Sequence, residues 1–282
     1  GMYLGRLPGH LALTGLGLCL PIISILMGFA NLCGMGGSPL CSIHRGRGEN
    51  EEAERIMGNS FVLLLLFGAG LSVFCLVFRR PILYLFGASD VTFPYANDYL
   101  TIYLLGTLFV MIGLGMNPFI NAQGFSVMGM LTVALGAVVN IVLDPIFIFA
   151  LDLGVKGAAL ATILSQFLSF CLLVGGTFHG DNLPLSLRAF RPTVERYSKI
   201  ISGGLPSFWR QALASVATIL LNVAGREFGG GDVAVAAMSI VSRITMFAGS
   251  ALVGFGQGYQ PVCGFNYGAK LYGRVREAFF FF

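Results

Sequence analysis

The sequence predicts an all-α polytopic membrane protein with about seven transmembrane helices, which form part of a twelve-helix, two-lobe architecture. Three observations support this prediction. Hydrophobic residues make up 56% of the chain, charged residues make up 11%, and the mean hydropathy is +0.81. A soluble domain usually carries about 25% charged residues. Long apolar stretches recur along the chain, and an internal repeat relates its beginning to its end.

Seven apolar stretches are long enough to cross the hydrocarbon core of a bilayer as helices. They run near 11–33, 58–78, 94–116, 127–150, 156–178, 199–225 and 232–260. An eighth span begins near Arg274. The segment from Asn50 precedes the second span and predicts a surface helix, in which Glu51 and Arg55 pair four residues apart.

The basic residues predict the orientation of these spans. The loops that follow the first, third, fifth and seventh spans carry ten basic residues, and the segments on the other side carry five. Because basic loops stay in the cytoplasm, the first set of loops is expected to be cytoplasmic. The turn after the fourth span then faces outward.

An internal repeat predicts a duplicated protein. Five residues recur without a gap at an offset of 222 positions: Gly34, Gly36, Pro39, Cys41 and Gly46 match Gly256, Gly258, Pro261, Cys263 and Gly268. The first span matches the seventh, so the two copies are six spans apart and have the same orientation in the membrane. This predicts parallel repeats in a protein of roughly 440 residues. We therefore expect a fragment: an N-terminal lobe without its first helix (1–180), a cytoplasmic linker (181–198) and a truncated C-terminal lobe (199–282).

One carboxylate interrupts the fourth span. Asp144 is the only charged residue within 127–150, and an ionisable group at this depth costs several kcal/mol unless something uses it. Asn140 lies four residues earlier, on the same helix face. Pro145 cannot donate a backbone hydrogen bond to the Ile141 carbonyl, which frees an acceptor and predicts a kink beside the site. These oxygen atoms suit a small cation or a proton.

The fifth span adds a fourth polar group. Asp144 lies ten residues before Gly154 in the connecting turn, and Thr162 lies eight residues after it. At about 1.5 Å per residue, both are roughly 12–15 Å from the turn and meet at one depth. A structural hydrogen bond between the helices is the alternative interpretation. Because carboxylates inside membranes usually have a function, we favour a cation- or proton-binding site.

Three long motifs resemble one known family. The run NPFINAQGFSVMGMLTVALGAVVNIVLDPIFIFALDLGVKGAALATILSQ (117–166) is similar to the first-half signature of the multidrug and toxic compound extrusion (MATE) family. The run GFGQGYQPVCGFNYGAKLYGRVREA (254–278) is similar to that of the second half, and the region 17–60 resembles the second helix. The resemblance covers essentially the whole chain and has a bacterial character.

The resemblance implies a function. MATE proteins are twelve-helix secondary antiporters that expel organic cations and amphipathic drugs by alternating access, in exchange for Na⁺ or H⁺. Their first-lobe ion site contains an aspartate of the first helix, an Asn and an Asp of the fifth, and a Thr of the sixth. Asn140, Asp144 and Thr162 match the last three. The first aspartate would precede Gly1, and the sequence does not decide between Na⁺ and H⁺.

Other functions fit the sequence less well. A flippase for a lipid-linked oligosaccharide is the main alternative, but it needs several cavity arginines, and only Arg210 and Arg243 are candidates. We expect Arg210 to extend to the membrane interface. An intramembrane enzyme needs paired acids or a nucleophile with a base, whereas Asp144 is alone in its span. We therefore expect no enzyme activity and no cofactor beyond the coupling ion.

The expected partners and location follow from the same interpretation. The partners are the lipid bilayer and small organic cations or drugs, and the protein is expected to be a monomer. The net charge of +4 needs no nucleic-acid partner, because it reflects the arginines of the cytoplasmic loops. The expected location is the plasma membrane of a bacterium, crossed several times.

Overall fold

The computed structural model describes residues 11–86, 88–177, 193–228 and 232–281. These residues are almost entirely helical and include no β-strand. In chain order, the helices are α1 (Leu11–Gly46), α2 (Asn50–Val77), α3 (Arg79–Leu85), α4 (Phe93–Ala122), α5 (Ser126–Pro145), a π-helical segment (Ile146–Ala150), α6 (Gly154–Thr177), α7 (Val194–Phe228), α8 (Asp232–Gly268) and α9 (Tyr272–Phe281). The predicted all-α architecture is confirmed.

The long helices account for the predicted membrane spans. Five helices are long and apolar enough to cross a membrane: α1, α2, α4, α5 with its π segment, and α6. Helices α7 and α8 contain 35 and 37 residues, which is about 52–56 Å of helix against a hydrocarbon core of about 30 Å. All seven predicted spans therefore lie on long helices, and α9 begins beside the position expected for the eighth.

Several helices extend beyond the predicted spans, α1 and α2 among them. Helix α1 continues from residue 33 to Gly46, although this part of it carries polar side chains. Ser38 and Ser42 are buried, and the Ser42 hydroxyl donates to the Ala122 carbonyl at 3.4 Å. Hydropathy falls here because these side chains face protein rather than lipid. The surface helix expected from Asn50 is the first part of α2 itself.

The structure differs from the predicted organisation at α3 and at the start of α7. Helix α3, seven residues long, was not predicted because so short a segment has no clear periodicity. Helix α7 begins at Val194, inside the range 181–198 assigned to the linker. Most of that range, residues 181–192, lies outside the described residues.

Helix α1 is the central helix of the described structure. It packs against α2, α4, α7 and α8, with the most extensive contacts to α4 and α7. The Phe29 ring contacts Phe67 of α2 and Phe208 of α7, with ring centroids 5.2 Å apart in both pairs. Helix α1 therefore connects the helices of the predicted first lobe to those of the second.

The ends of α1 and α8 exchange equivalent contacts. A Cβ added at Gly46 would lie 2.0 Å from the Phe265 carbonyl oxygen, and one added at Gly268 would lie 2.1 Å from the Ile43 carbonyl oxygen. The offset of 222 residues relates Gly46 to Gly268 and also Ile43 to Phe265. Gly46 thus packs on Phe265, and Gly268 packs on Ile43. These two contacts are equivalent in the two copies of the repeat. This reciprocity is the contact pattern expected of parallel repeats.

An ion pair joins α2 and α7 at the same end of the molecule. Arg196 forms two hydrogen bonds with Glu52, from Nε to Oε1 at 2.6 Å and from Nη2 to Oε2 at 2.9 Å. These bonds raise the pKa of Arg196, so the guanidinium stays charged. The Thr193 hydroxyl accepts a further bond from Nη1. This paired geometry fixes the start of α7 against the turn between α1 and α2.

The reciprocal glycine contacts predict equal sensitivity at both positions. Gly46→Ala and Gly268→Ala should each lower the stability of the protein by about 1–3 kcal/mol, because the added methyl group meets rigid backbone. Thermal unfolding of the purified whole protein in detergent measures the effect. Gly249→Ala is the matched control on α8, since no atom lies within 4 Å of its added Cβ. Equal behaviour of all three variants would contradict the proposed close approach.

The ion pair between α2 and α7 predicts a smaller effect. Glu52→Gln should reduce stability by about 1 kcal/mol, since a bidentate arginine pair is stronger than an ordinary surface pair. Lys199→Gln is the control, because Lys199 pairs with Glu195 on the same exposed helix surface. We expect its unfolding midpoint to remain that of the wild type. A larger effect of Lys199→Gln than of Glu52→Gln would refute this ranking.

Candidate functional site

Helix α5 buries a stripe of small and polar residues. Its buried residues are Gly129, Thr132, Gly136 and Asp144, and Asn140 continues the same spacing. The opposite side is apolar and exposed, with Val127, Val138, Ile141 and Val142 all more than half accessible. A helix of a soluble protein has the reverse arrangement. The apolar face of α5 therefore suits lipid, and its polar face lies against α4 and α6.

The structure brings the three predicted site residues together. Asp144 is 8% exposed. The Asn140 amide nitrogen lies 3.4 Å from Asp144 Oδ1 and 3.5 Å from Thr162 Oγ1, which belongs to α6. Both distances are at the long limit of hydrogen bonding. The Thr162 hydroxyl donates to the Ala158 carbonyl at 2.9 Å, so its lone pairs can accept from the Asn140 amide.

The α-helical pattern of α5 ends beside Asp144. Pro145 is the last residue of the helix, and the next backbone N–H, that of Ile146, bonds to the Leu143 carbonyl. A π-helical segment follows, in which the Leu151 N–H reaches the Ile146 carbonyl at 3.0 Å. Because Pro145 has no N–H, the Ile141 carbonyl receives no α-helical bond. The backbone change expected at Pro145 therefore lies directly after the carboxylate.

A tyrosine completes this site, and the sequence analysis missed it. Tyr99 of α4 is 6% exposed and lies beside Thr162 and Asp144. Its ring stacks on that of Tyr103, with centroids 6.1 Å apart. An aromatic residue in an apolar span is usually a packing residue, so no signal in a single sequence distinguishes Tyr99.

A second polar cluster lies on the same stripe, about two turns closer to the start of α5. The Asn117 amide of α4 donates to the Gly129 carbonyl and to the Thr132 hydroxyl, both at 2.9 Å. The Ser169 hydroxyl of α6 donates to the Thr132 carbonyl at 2.9 Å. These side chains line a cavity of about 210 Å³, which Asn31, Gln166 and Gln257 also line. No pattern in the sequence predicted this cavity.

The other ionisable residues of the described ranges form no comparable site. Among the described residues, no three His, Cys, Asp or Glu side chains lie close enough to hold a metal ion together. His44 pairs with Glu49 at the end of α1. Asp98 pairs with Lys156 of α6 at 3.4 Å, near the surface. Asp144 is therefore the single buried carboxylate in the described part of the chain.

Comparison with protein families and relatives places this geometry in context. The family profile MatE matches residues 1–146 and 206–282. The chain is 29% identical over 266 residues to the multidrug export protein MepA of Staphylococcus haemolyticus, which covers 94% of this chain and 58% of the relative. It is 27% identical over 276 residues to MepA of Staphylococcus aureus, covering 98% and 60%. The chain spans about three fifths of the length of these relatives.

Solved structures show the same architecture. A crystal structure of MATE in complex with MaD3S superposes with a TM-score of 0.90 at 28% identity, covering 99% of this chain and 63% of that one. An outward-facing multidrug resistance MATE family transporter of the MOP superfamily gives a TM-score of 0.87 at 29% identity, covering 95% and 60%. The predicted location, a bacterial plasma membrane crossed several times, agrees with these comparisons. This chain belongs to the MatE family, the multidrug and toxic compound extrusion transporters that its motifs resemble.

Proposed function

We propose that the protein containing this chain is a secondary antiporter of the bacterial plasma membrane. It exports organic cations or amphipathic drugs in exchange for Na⁺ or H⁺. Asn140, Asp144 and Thr162 form the coupling-ion site. The observation that carries the proposal is a buried carboxylate whose neighbouring Asn140 amide lies 3.4 Å from it and 3.5 Å from the Thr162 hydroxyl of the next helix. The relatives that are multidrug export proteins support the transport of drugs.

The spacing of the polar groups supports a small hard cation. Oxygen ligands surround such ions at about 2.4 Å, so neighbouring ligands in an octahedron are about 3.4 Å apart. The Asn140 amide atom lies 3.4 and 3.5 Å from the Asp144 and Thr162 oxygens. A half-turn of the amide group would replace its nitrogen by oxygen and provide three ligands at this spacing. A proton on Asp144 needs no such rearrangement, because a protonated carboxyl group still has an oxygen that accepts from the Asn140 amide.

Neutralisation of Asp144 couples the ion to the conformational change. A buried charge costs several kcal/mol without a counter-ion, so the bound cation or proton stabilises the state in which the site is closed. Loss of the ion favours the state in which water reaches the carboxylate. An ion that binds one state better shifts the equilibrium between the two, which is the thermodynamic basis of alternating access.

The backbone next to the site provides a place for helix bending. Pro145 removes one hydrogen bond of α5, and the π segment loosens the following turn. We infer that a change at Asp144 alters the direction of Ile146–Ala150 relative to α5. The ends of α1 and α8 pack closely near the basic loops. A cytoplasmic seal at these ends fits a cleft that opens on the outer side.

A flippase for a lipid-linked oligosaccharide is the second candidate. Its pyrophosphate would need several arginines in the central cleft. Arg210 lines the cleft between α1, α7 and α8, whereas the side chain of Arg243 lies outside the described part of the structure. One arginine is a weak basis for a pyrophosphate site, so we favour the antiporter. We expect the transporter to act as a monomer without enzyme activity or an organic cofactor.

The proposed coupling predicts that Asp144→Asn abolishes export. Efflux of a fluorescent organic cation is measured in inverted vesicles that contain the whole protein, separately under a Na⁺ gradient and a pH gradient. The mutant keeps the size of the side chain but cannot exchange its charge, so efflux should fall to the background of empty vesicles. Asp98→Asn is the control, because Asp98 is a partly exposed partner of Lys156. Wild-type efflux by Asp144→Asn would reject the coupling role.

The ion can be identified at Thr162. Thr162→Val removes one oxygen ligand with little change of volume, so Na⁺ coupling predicts that the Na⁺ concentration for half-maximal efflux rises by about tenfold. If H⁺ is the coupling ion, Thr162→Val should change efflux much less. Thr107→Val is the matched control, because the buried Thr107 hydroxyl also donates to a carbonyl four residues earlier, at 3.1 Å. An equal effect of both variants would assign the loss to helix stability rather than to ion binding.

A further inference from the structure

Arg210 is a positive charge at membrane depth. It follows Lys199 by eleven residues on α7, which is about 16 Å along the helix. Lys199 is exposed and pairs with the exposed Glu195, so this ion pair marks the cytoplasmic end of α7. A residue 16 Å further along lies near the middle of a hydrocarbon core of about 30 Å. A guanidinium at this depth is costly unless it faces water, a partner or a ligand.

The Arg210 side chain is exposed and faces a cleft. It lines a space of about 440 Å³ between α1, α7 and α8. Ser207, Gln257 and Gln260 supply further polar groups, and Met35 and Val253 supply apolar surface. Met35 and Gln257 also line the 210 Å³ cavity beside the second polar cluster. The two spaces therefore share a wall.

The described walls of these two spaces carry a single charge. Arg210 is the one ionisable residue among the described lining residues, and the others are amides, hydroxyl groups and apolar side chains. This part of the cleft is therefore positive. A cationic group is repelled by it, whereas a carboxylate or phosphate is attracted. The planar guanidinium donates two parallel hydrogen bonds to either oxyanion, and the Gln257 and Gln260 amides can donate more.

We propose that the cleft between α1, α7 and α8 is a subsite for the oxyanion end of an amphiphilic substrate, a carboxylate or a phosphate. Arg210 binds the oxyanion, and Gln257 and Gln260 donate hydrogen bonds to it. The apolar body of the substrate lies along Met35 and Val253. This inference rests on the proposed export function and names the residues that recognise the acidic end of a substrate: Arg210, Gln257 and Gln260.

The test uses three probes with one fluorophore and different polar ends. Dansylglycine carries a carboxylate, dansylaminoethyl phosphate carries a phosphate, and dansylaminoethyl-trimethylammonium carries a positive charge. Binding to the whole protein in nanodiscs is measured by fluorescence for wild type, Arg210→Gln and Arg210→Lys. Arg47→Gln is the matched control, because Arg47 is exposed in the turn after α1. Empty nanodiscs correct for partition of each probe into lipid.

The proposal predicts that at least one oxyanion probe loses affinity by about tenfold or more in Arg210→Gln, because a charged hydrogen bond is lost. Arg210→Lys should retain part of the affinity, and Arg47→Gln should retain all of it. The affinity of the trimethylammonium probe should stay the same or increase. Whichever oxyanion responds identifies a carboxylate or a phosphate as the recognised group.

Two results would overturn the subsite. One is that neither oxyanion probe binds the wild type, or that Arg210→Gln binds both as tightly as the wild type does. The other is an equal loss for all three probes, which indicates damage to the cleft as a whole. Ion-driven efflux of the cationic probe, with its dependence on Asp144, is measured in parallel. If this efflux is observed while the binding tests fail, the export function stands and only the subsite is rejected. The two hypotheses can therefore be tested separately.

Discussion

The burial of one carboxylate organises this protein. Asp144 is placed on the inner face of a helix whose other face suits lipid, and 8% of its surface remains accessible. A charge at this depth costs several kcal/mol, so the neighbouring groups must either pair with it or leave room for a counter-ion. The long contacts from Asn140 are consistent with the second arrangement. Tyr99 and Thr162 close the site from α4 and α6, and Pro145 loosens the backbone beside it.

The second constraint is the close approach of α1 and α8. Gly46 and Gly268 allow the backbones of the two repeats to touch near the basic loops, and the Glu52–Arg196 pair joins α2 to α7 at the same end. A contact built from backbone atoms has a narrow range of distances, so it is either formed or open. Such a contact can therefore act as one side of a two-state transition, while the state of Asp144 supplies the bias.

Much of this could be predicted from the sequence, because the lipid bilayer imposes simple rules. The lone charge in 127–150 is visible in the sequence itself. Helix geometry then places Asn140 on the same face as Asp144 and brings Asp144 and Thr162 to the same depth in the hairpin. The first span was predicted to end at residue 33, whereas α1 continues to Gly46 with Ser38 and Ser42 buried between helices. Tyr99 and the cavity beside Asn117 were missed for a related reason. Their roles depend on which helix lies opposite, and periodicity within one helix carries no such information.

The ionisation state of Asp144 tests the account most directly. Infrared spectroscopy of the purified whole protein can follow the carbonyl band of a protonated carboxyl group as pH and Na⁺ concentration change. The account predicts a band that is present in the wild type, absent in Asp144→Asn, and lost when pH rises or Na⁺ binds. Spectra of wild type and Asp144→Asn that coincide under all conditions would contradict the claim that this carboxylate exchanges its charge during transport.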